Sequence, residues 1–325
     1  AEKLVEAFSH PFIIDGRGIV STISAGVSVF PRDAEGSAAL VERADEALYR
    51  AKQGGRNRAM AHEGFAHGSE PQVRVLERDL RQAYELGQFE VHYQPIFSLP
   101  DRRLSGAEAL VRWRHPDHGL IPAADFLATA FRTGLIAPIT DQVLVSACAR
   151  AVRWGFHHRG LAIAVNLNDS QLLRRNLACA VSDALSRSRL QPARLQLEVA
   201  ERVVVDRPSA QVTANLDELR RLGAKVTLDG FGSFQAALVS LRRLRLDSLK
   251  IDRTLISGVP DDPAACAIVN AALSSARSIG IETSAGGVEH ERQLAWLAAR
   301  GCRLVQGFLL GAACPADDFE RRFLG

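Results

Sequence analysis

The feature that most narrows the fold is a rhythm. Short apolar runs near residues 161–167, 194–200, 224–229, 248–251, 281–285 and 304–308 alternate with stretches of helical periodicity. That alternation marks parallel β/α units. Ahead of it, Phe89-Glu-Val-His-Tyr-Gln-Pro-Ile-Phe97 and a run ending in Glu108-Ala-Leu-Val-Arg-Trp113 flank the short polar turn Pro100-Asp-Arg-Arg103. Strands joined by so brief a connection must be antiparallel. The hairpin pair plus the later runs makes about eight strands, enough to close a β/α barrel with an irregular first strand. An open doubly wound sheet is the rival architecture.

The 325 residues leave room for more than this barrel, since a domain averages about 150. Residues 24–30, Ser-Ala-Gly-Val-Ser-Val-Phe, alternate like a half-buried strand and end at Pro31. From Ser37 to Gln53, Leu40, Val41, Ala44, Leu48 and Ala51 recur at helical spacing, and Gly54-Gly55 stops the run. The stretch up to Val73 has no periodicity and reads as a linker. A helix over about 75–86 then leads into the first barrel strand. The expected partition is 1–60, a linker at 61–73, and 74–325.

Composition removes several classes of function. With 47% hydrophobic and 24% charged residues the chain is globular rather than disordered. A net charge of +3 gives no support to a nucleic-acid partner. Cys148, Cys179, Cys266, Cys302 and Cys314 are odd in number and include no C-x-x-C pair, which points to a reducing, cytoplasmic setting. No apolar run is long enough to span a bilayer and no leader is evident, so any membrane tether is expected elsewhere.

In a β/α barrel the functional site lies at the carboxyl ends of the strands. Polar residues recur there: Glu108, Asn166, Glu198 with Glu201, Asp229, Lys250 with Asp252, Glu289 and Gln306. Glu108, Asn166, Glu198 and Asp229 are oxygen donors suited to a hard cation such as Mg²⁺ or Mn²⁺. Lys250 would then face a phosphate or an attacking water. Metal-assisted phosphodiester hydrolysis and two-carboxylate glycoside hydrolysis both use such a layout. Few aromatic residues fall at the strand ends, which favours the metal.

Gly106-Ala-Glu-Ala-Leu-Val-Arg-Trp113 contains the Glu-Ala-Leu signature of the EAL domain, the cyclic di-GMP phosphodiesterase family, and the resemblance runs from about Leu76 to Phe323. It includes His92-Tyr-Gln-Pro-Ile96, His115-Pro116, Ala164-Val-Asn-Leu167, Leu197-Glu198 with Glu201, Leu249-Lys-Ile-Asp252, Gly287-Val-Glu289 and Gln306-Gly307. The family resemblance implies an eight-stranded, TIM-like α/β barrel with an antiparallel first strand. Ser24-Ala-Gly-Val, Ala44-Asp-Glu-Ala-Leu-Tyr-Arg-Ala-Lys52 and Gly55-Arg-Asn-Arg58 resemble the last part of a GGDEF domain, the diguanylate cyclase family. A partial α+β GGDEF segment is therefore expected first. Its signature is absent, so Lys52 and Arg56 have no cyclase site to complete. The whole resembles the C-terminal part of a longer GGDEF-EAL protein.

The family implies two divalent ions. The first would be held by Glu108, Asn166, Glu198 and Asp229, with Lys250 and Glu201 as catalytic residues in an active member. Gln94, Leu110, Arg112, Asp252, Glu289 and Gln306 match nucleotide-cleft positions, together with Glu108, Asn166 and Asp229. The second ion would share Asp229 and use two further acidic residues. Here the motifs read Asp229-Gly230-Phe231-Gly232 and Ala285-Gly286-Gly287-Val288-Glu289, with glycine at both acidic positions. Ser233-Phe234-Gln235, Phe131 and Arg202 also depart from the family pattern. One Mg²⁺ or Mn²⁺ site is expected to remain and the second to be lost. The resulting expectation is a cyclic di-GMP receptor with little or no hydrolysis. The alternatives are a weak phosphodiesterase producing linear pGpG and a protein-interaction scaffold that binds no nucleotide. A homodimer through the EAL domain and protein partners are compatible with each. His115-x-x-His118 and Gly230-x-Gly232 read as ordinary loop features, and His157-His158 as solvent-facing.

Overall fold

The computed structural model describes residues 1, 4–5, 8, 12–14, 17–19, 23–34, 36–53, 59–61, 77–155, 160–201, 203, 209–231 and 246–325. Arg56, Arg202, Gly232, Ser233-Phe234-Gln235, His157-His158 and almost all of the expected linker lie outside the described residues. The chain divides into two compact units, Ala1–Gln72 and Val73–Gly325.

In the first unit, strands β1 (Phe12–Ile14) and β2 (Arg17–Ile19) pair antiparallel, and β3 (Ala25–Val27) pairs parallel with β4 (Ala59–Ala61). Helix Ser37–Gln53, with the bounds expected from its periodicity, buries Ala47 and Ala51 and packs on β3 and β4. Its approach to β3 depends on Gly26, where an added Cβ would run into the backbone of Ala44 and Leu48. The glycine of the Ser-Ala-Gly-Val motif is thus explained by contact between helix and strand.

The second unit is a closed, eight-stranded mixed barrel. Strands β5 (Phe89–Ser98) and β6 (Leu104–His115) form the hairpin, and β7 (Gly119–Pro122) extends it antiparallel along β6. Next come β8 (Ala162–Leu167), β9 (Leu195–Ala200), β10 (Lys225–Phe231), β11 (Ser248–Ile251), β12 (Glu282–Ala285) and β13 (Leu304–Val305). Each pairs parallel with its neighbour, beginning with β6 on β8. Strand β5 closes the ring by lying antiparallel between β6 and β13, so the structure is a closed barrel and not the open sheet. A two-residue strand, β14 (Cys314–Pro315), pairs with the first half of β5.

The alternation of side chains across each strand sorts the residues. Leu195, Leu197 and Val199 of β9, Val226 and Leu228 of β10, and Leu249 and Ile251 of β11 are all buried in the main apolar core. The intervening positions are polar: Gln196 and Glu198, Thr227 and Asp229, Ser248 and Lys250. They form two levels. In the lower one the Gln196 side-chain amide donates to Thr227 and, at 2.9 Å, to Ser248. Because these buried polar atoms satisfy one another, the interior tolerates them. The upper level is the candidate site. Helix Ala316–Phe323 is fastened against the wall by Phe319, fully buried and stacked on Trp154 with ring centroids 4.6 Å apart.

The last barrel strand is shorter than the apolar run suggests. It stops at Val305 because a Cβ on Gly307 would strike the Val288 backbone, and Val288 itself takes up the Gln306 carbonyl at 3.0 Å. His115 accepts the backbone N–H groups of Asp117 and His118 through Nδ1, at 3.1 and 3.3 Å. The His-x-x-His spacing therefore serves a turn.

Candidate functional site

Five carboxyl-end side chains meet above the polar floor. Register places Asn166 of β8 beside Glu198 of β9, and Glu198 beside Thr227, one step below Asp229 on β10. Lys250 on β11 reaches into this group, with its ammonium 2.8 Å from Glu108 Oε2, 2.8 Å from Glu198 Oε2 and 3.9 Å from Asp229 Oδ1. Asn166 Nδ2 donates to Glu108 Oε1 at 2.7 Å. Gln306 Nε2 donates to Glu108 Oε2 at 2.8 Å and to Gln94 Oε1 at 2.9 Å. Glu108 is thus gripped by an amide, a second amide and an ammonium. The lysine ammonium bridges the carboxylates of Glu108 and Glu198 and also borders the cleft above them.

Burial and charge pull the three carboxyls apart. Burial pushes Glu108 upward, but the Lys250 ammonium and hydrogen bonds from Lys250, Gln306 and Asn166 hold it below the usual carboxylate range. Glu198 lies deeper, 3% exposed, and burial together with the Glu108 charge pushes it up to about 8 against the pull of Lys250. Asp229, partly exposed, is raised by burial and by Glu108, with Lys250 opposing. Burial disfavours a charged Lys250, yet the surrounding carboxylates raise it well above its ordinary value. Three carboxyls against one ammonium leave excess buried negative charge, which Glu198 relieves by holding a proton.

This imbalance gives a measurable pH dependence. Above its ordinary pKa of 4.5 the unfolded Glu198 loses a proton that the folded one keeps up to about 8. Its contribution to stability is therefore fully present below 4.5 and is lost as pH rises through the folded value. In the presence of chelator the thermal midpoint should fall between about pH 5.5 and pH 8 more steeply for the natural chain than for Glu198→Gln. Parallel slopes in a pair of scanning-calorimetry series would contradict the assignment.

The same residues are a reasonable donor set for one hard cation. Three carboxylates and a carboxamide are oxygen ligands of the kind Mg²⁺ and Mn²⁺ take, and the uncompensated charge favours a divalent ion. Lys250 already bonds two of these carboxylates, Glu108 and Glu198, at 2.8 Å. Among the described residues no group of three or more His, Cys, Asp or Glu is already spread into a metal-binding arrangement. Gly230 and Gly286 contribute no side-chain oxygen to a second ion. Gly286 is not there for lack of space, since an added Cβ would lie 3.7 Å from Ile251 O and Lys250 Cε, an ordinary contact. Gly230 has φ +76°, a backbone conformation that glycine adopts freely and that Asp enters at some cost.

Over the cluster opens a cleft of about 470 Å³. Gln94, Glu108, Leu110, Arg112, Asp229, Lys250, Asp252, Glu289 and Gln306 line it, as do Gly286 and Gly287. Arg112 is half-buried, which lowers its pKa against the pull of Glu108, and its Nη1 donates to the Val111 carbonyl at 2.9 Å. Asp252 turns Oδ1 to the N–H of Thr254 at 2.7 Å and so caps helix Arg253–Gly258 while bordering the cleft. Glu198 is sealed beneath Lys250, bordering a small void with Gln196, Lys250 and Gln306, and Glu201 is 1% exposed and does not line the cleft. Among the lining residues that the sequence did not single out are Arg253, which follows Asp252 directly, and Phe308, 71% exposed on the wall. The signal for Arg253 was a cation adjoining the Lys-Ile-Asp motif at a strand end. For Phe308 it was an aromatic next to Gln-Gly.

The chain is thus a closed β/α barrel with an antiparallel first strand, acidic groups at its carboxyl rim and an arginine-bearing cleft above them. The chain belongs to the EAL domain family, the cyclic di-GMP phosphodiesterase family, whose model matches residues 77–313. The model for the diguanylate cyclase GGDEF domain matches residues 1–58, a remnant of that domain. The bifunctional diguanylate cyclase/cyclic di-GMP phosphodiesterase MucR of Pseudomonas aeruginosa is 38% identical over 319 residues, covering 98% of this chain and 46% of MucR. Cyclic di-GMP phosphodiesterase NbdA of the same organism is 37% identical over 322 residues, covering 98% of this chain and 41% of NbdA. The chain thus spans less than half the length of these relatives. Among solved structures, the MucR phosphodiesterase in complex with cyclic di-GMP aligns with TM-score 0.71 and 40% identity, covering 74% of this chain and 98% of that one. The FimX EAL domain of P. aeruginosa, 23% identical, shares the fold with TM-score 0.66 over 73% of this chain and 95% of its own. Among the described residues no helix is long and apolar enough to cross a membrane.

Proposed function

We propose that this EAL domain binds cyclic di-GMP as a receptor or regulatory module and hydrolyses it little or not at all. The observation that carries this reading is the contrast within one cleft. Its wall carries Arg112, Arg253 and the amides Gln94 and Gln306, with Glu108 and Asp229 at its floor, whereas positions 230 and 286 carry glycine. A guanidinium makes paired hydrogen bonds to a phosphate without any metal. In-line hydrolysis assisted by two ions needs the second to lower the pKa of the attacking water and orient it, and water ligands in place of two carboxylates restore neither charge nor direction. The site is proposed to hold one Mg²⁺ or Mn²⁺ through Glu108, Asn166, Glu198 and Asp229, with the second site lost. That ion would supply charge to a bound phosphate. Lys250, released from Glu198 when it enters, would remain beside the cleft as a donor.

The solved relative with cyclic di-GMP supports the choice of nucleotide. Weak hydrolysis to linear pGpG is the second reading, favoured by the retained Lys250 and by the names of the relatives. Calorimetric titration in Ca²⁺ tests the receptor reading. Cyclic di-GMP is expected to bind the natural chain, and Arg112→Ala to weaken it by roughly 10–100-fold, the loss of a charge-assisted phosphate contact of about 1.5–3 kcal/mol. No heat from the natural chain would leave a scaffold that acts through protein partners.

A further inference from the structure

At the opposite end of the barrel, where β12 and β13 begin, a cleft of about 660 Å³ is lined by Arg277, Arg300 and Arg303 over an apolar floor that includes Leu99, Leu273 and Ile281. No Asp or Glu lines it, and among the described residues no carboxylate pairs with any of the three arginines. Two of the guanidiniums are held in position. Arg300 lies 3.7 Å over the Trp296 ring and donates Nη1 to the Trp296 carbonyl at 3.2 Å. Arg277 donates Nη2 to the Arg300 carbonyl. It fits there because position 301 is glycine: a Cβ at 301 would collide with the Arg277 guanidinium, and φ is +76°. The backbone of Arg303 is pinned on both sides, its N–H to Thr283 O at 3.2 Å and its carbonyl by the Leu99 N–H at 2.8 Å.

We propose that this basal cleft is a second anion site, which takes a small molecule carrying two or more linked phosphates. Guanidinium forks match phosphate oxygens in pairs. Three of them, with no acidic residue in the lining, suit a polyphosphate better than a single carboxylate. The volume falls in the range of small-molecule sites, roughly 300–1,000 Å³, and the apolar floor offers a surface to the non-ionic part of the ligand. Arginines already fixed by Trp296 and by backbone carbonyls lose little freedom when a ligand arrives. The site is independent of the nucleotide cleft and of how that cleft is used.

Inorganic pyrophosphate is the probe, titrated by calorimetry into the full chain at about 0.15 M salt. One equivalent is expected to bind. The affinity should fall at least about tenfold in Arg277→Gln/Arg303→Gln and be unchanged in Arg112→Ala or with cyclic di-GMP present. Ala298→Glu, on the exposed face of helix Glu291–Ala299, leaves every arginine in place and adds a repelling charge at the rim, so it should weaken binding even if the double variant folds poorly. Absence of binding at millimolar pyrophosphate overturns the proposal. So does displacement by cyclic di-GMP, or equal affinity in Ala298→Glu and the natural chain.

Discussion

Replacing Gly230 by Asp and Gly286 by Glu together is expected to raise hydrolysis of cyclic di-GMP in Mn²⁺ by roughly 10²–10⁴-fold, the scale of a well-placed proton-transfer group. The gain comes from two carboxylates that would hold a second ion, lower the pKa of its water and fix that water on one side of the phosphate. The two substitutions differ in structural cost. Position 286 has room, with only ordinary contacts at 3.7 Å around a new Cβ. At position 230 the backbone has φ +76°, so Asp enters a left-handed conformation at a cost of about 1–2 kcal/mol. Gly286→Glu alone should therefore leave the melting temperature unchanged, while Gly230→Asp should lower it slightly. Chromatography of the linear product measures the gain. An unchanged rate in a well-folded double variant would mean that the cleft has lost more than its second ion.

The second large effect falls on stability. Lys250→Met removes the one ammonium among Glu108, Glu198 and Asp229, and should destabilise the metal-free barrel by about 3–5 kcal/mol, the penalty for a buried ion pair that has lost one partner. A divalent cation should restore part of that loss, because it replaces the missing positive charge and binds only the folded state. Adding Glu108→Gln to Lys250→Met should recover stability in chelator, since the carboxylate that Lys250 holds charged is then gone. Urea unfolding of the natural chain and both variants, each with chelator and with Mn²⁺, reads all three effects. Equal stability of Lys250→Met and the natural chain in chelator would show that the ammonium is not what holds the cluster.

Much of this architecture was legible in the chain because the β/α rhythm and the hairpin turn are local signals with long-range consequences. A five-residue connection forces β5 against β6, and six parallel strands then leave β5 to close the ring. The acidic and amide residues were legible for a related reason: a polar residue at the end of an apolar strand has to be explained by something beyond the core. Other features had no such signature. The strands β7 and β14 have four and two residues, too short for a period to register. The early end of β13 follows from contact between Gly307 and Val288, far apart in sequence. The role of Lys250 as an internal counter-ion depends on three strands converging on one atom, which neither spacing nor composition reveals. The same holds for Arg277 on one hand and Arg300 with Arg303 on the other, two segments brought together only at the base of the barrel.

The central claim is that the cleft binds its nucleotide without turning it over, and the most direct measurement is paired: calorimetry with cyclic di-GMP, and chromatography of the same incubation in Mg²⁺ and in Mn²⁺. Binding at micromolar concentration or tighter with no linear pGpG is the expected result. Multiple-turnover formation of pGpG by the natural chain would contradict it, and would make one ion with Lys250 sufficient for catalysis.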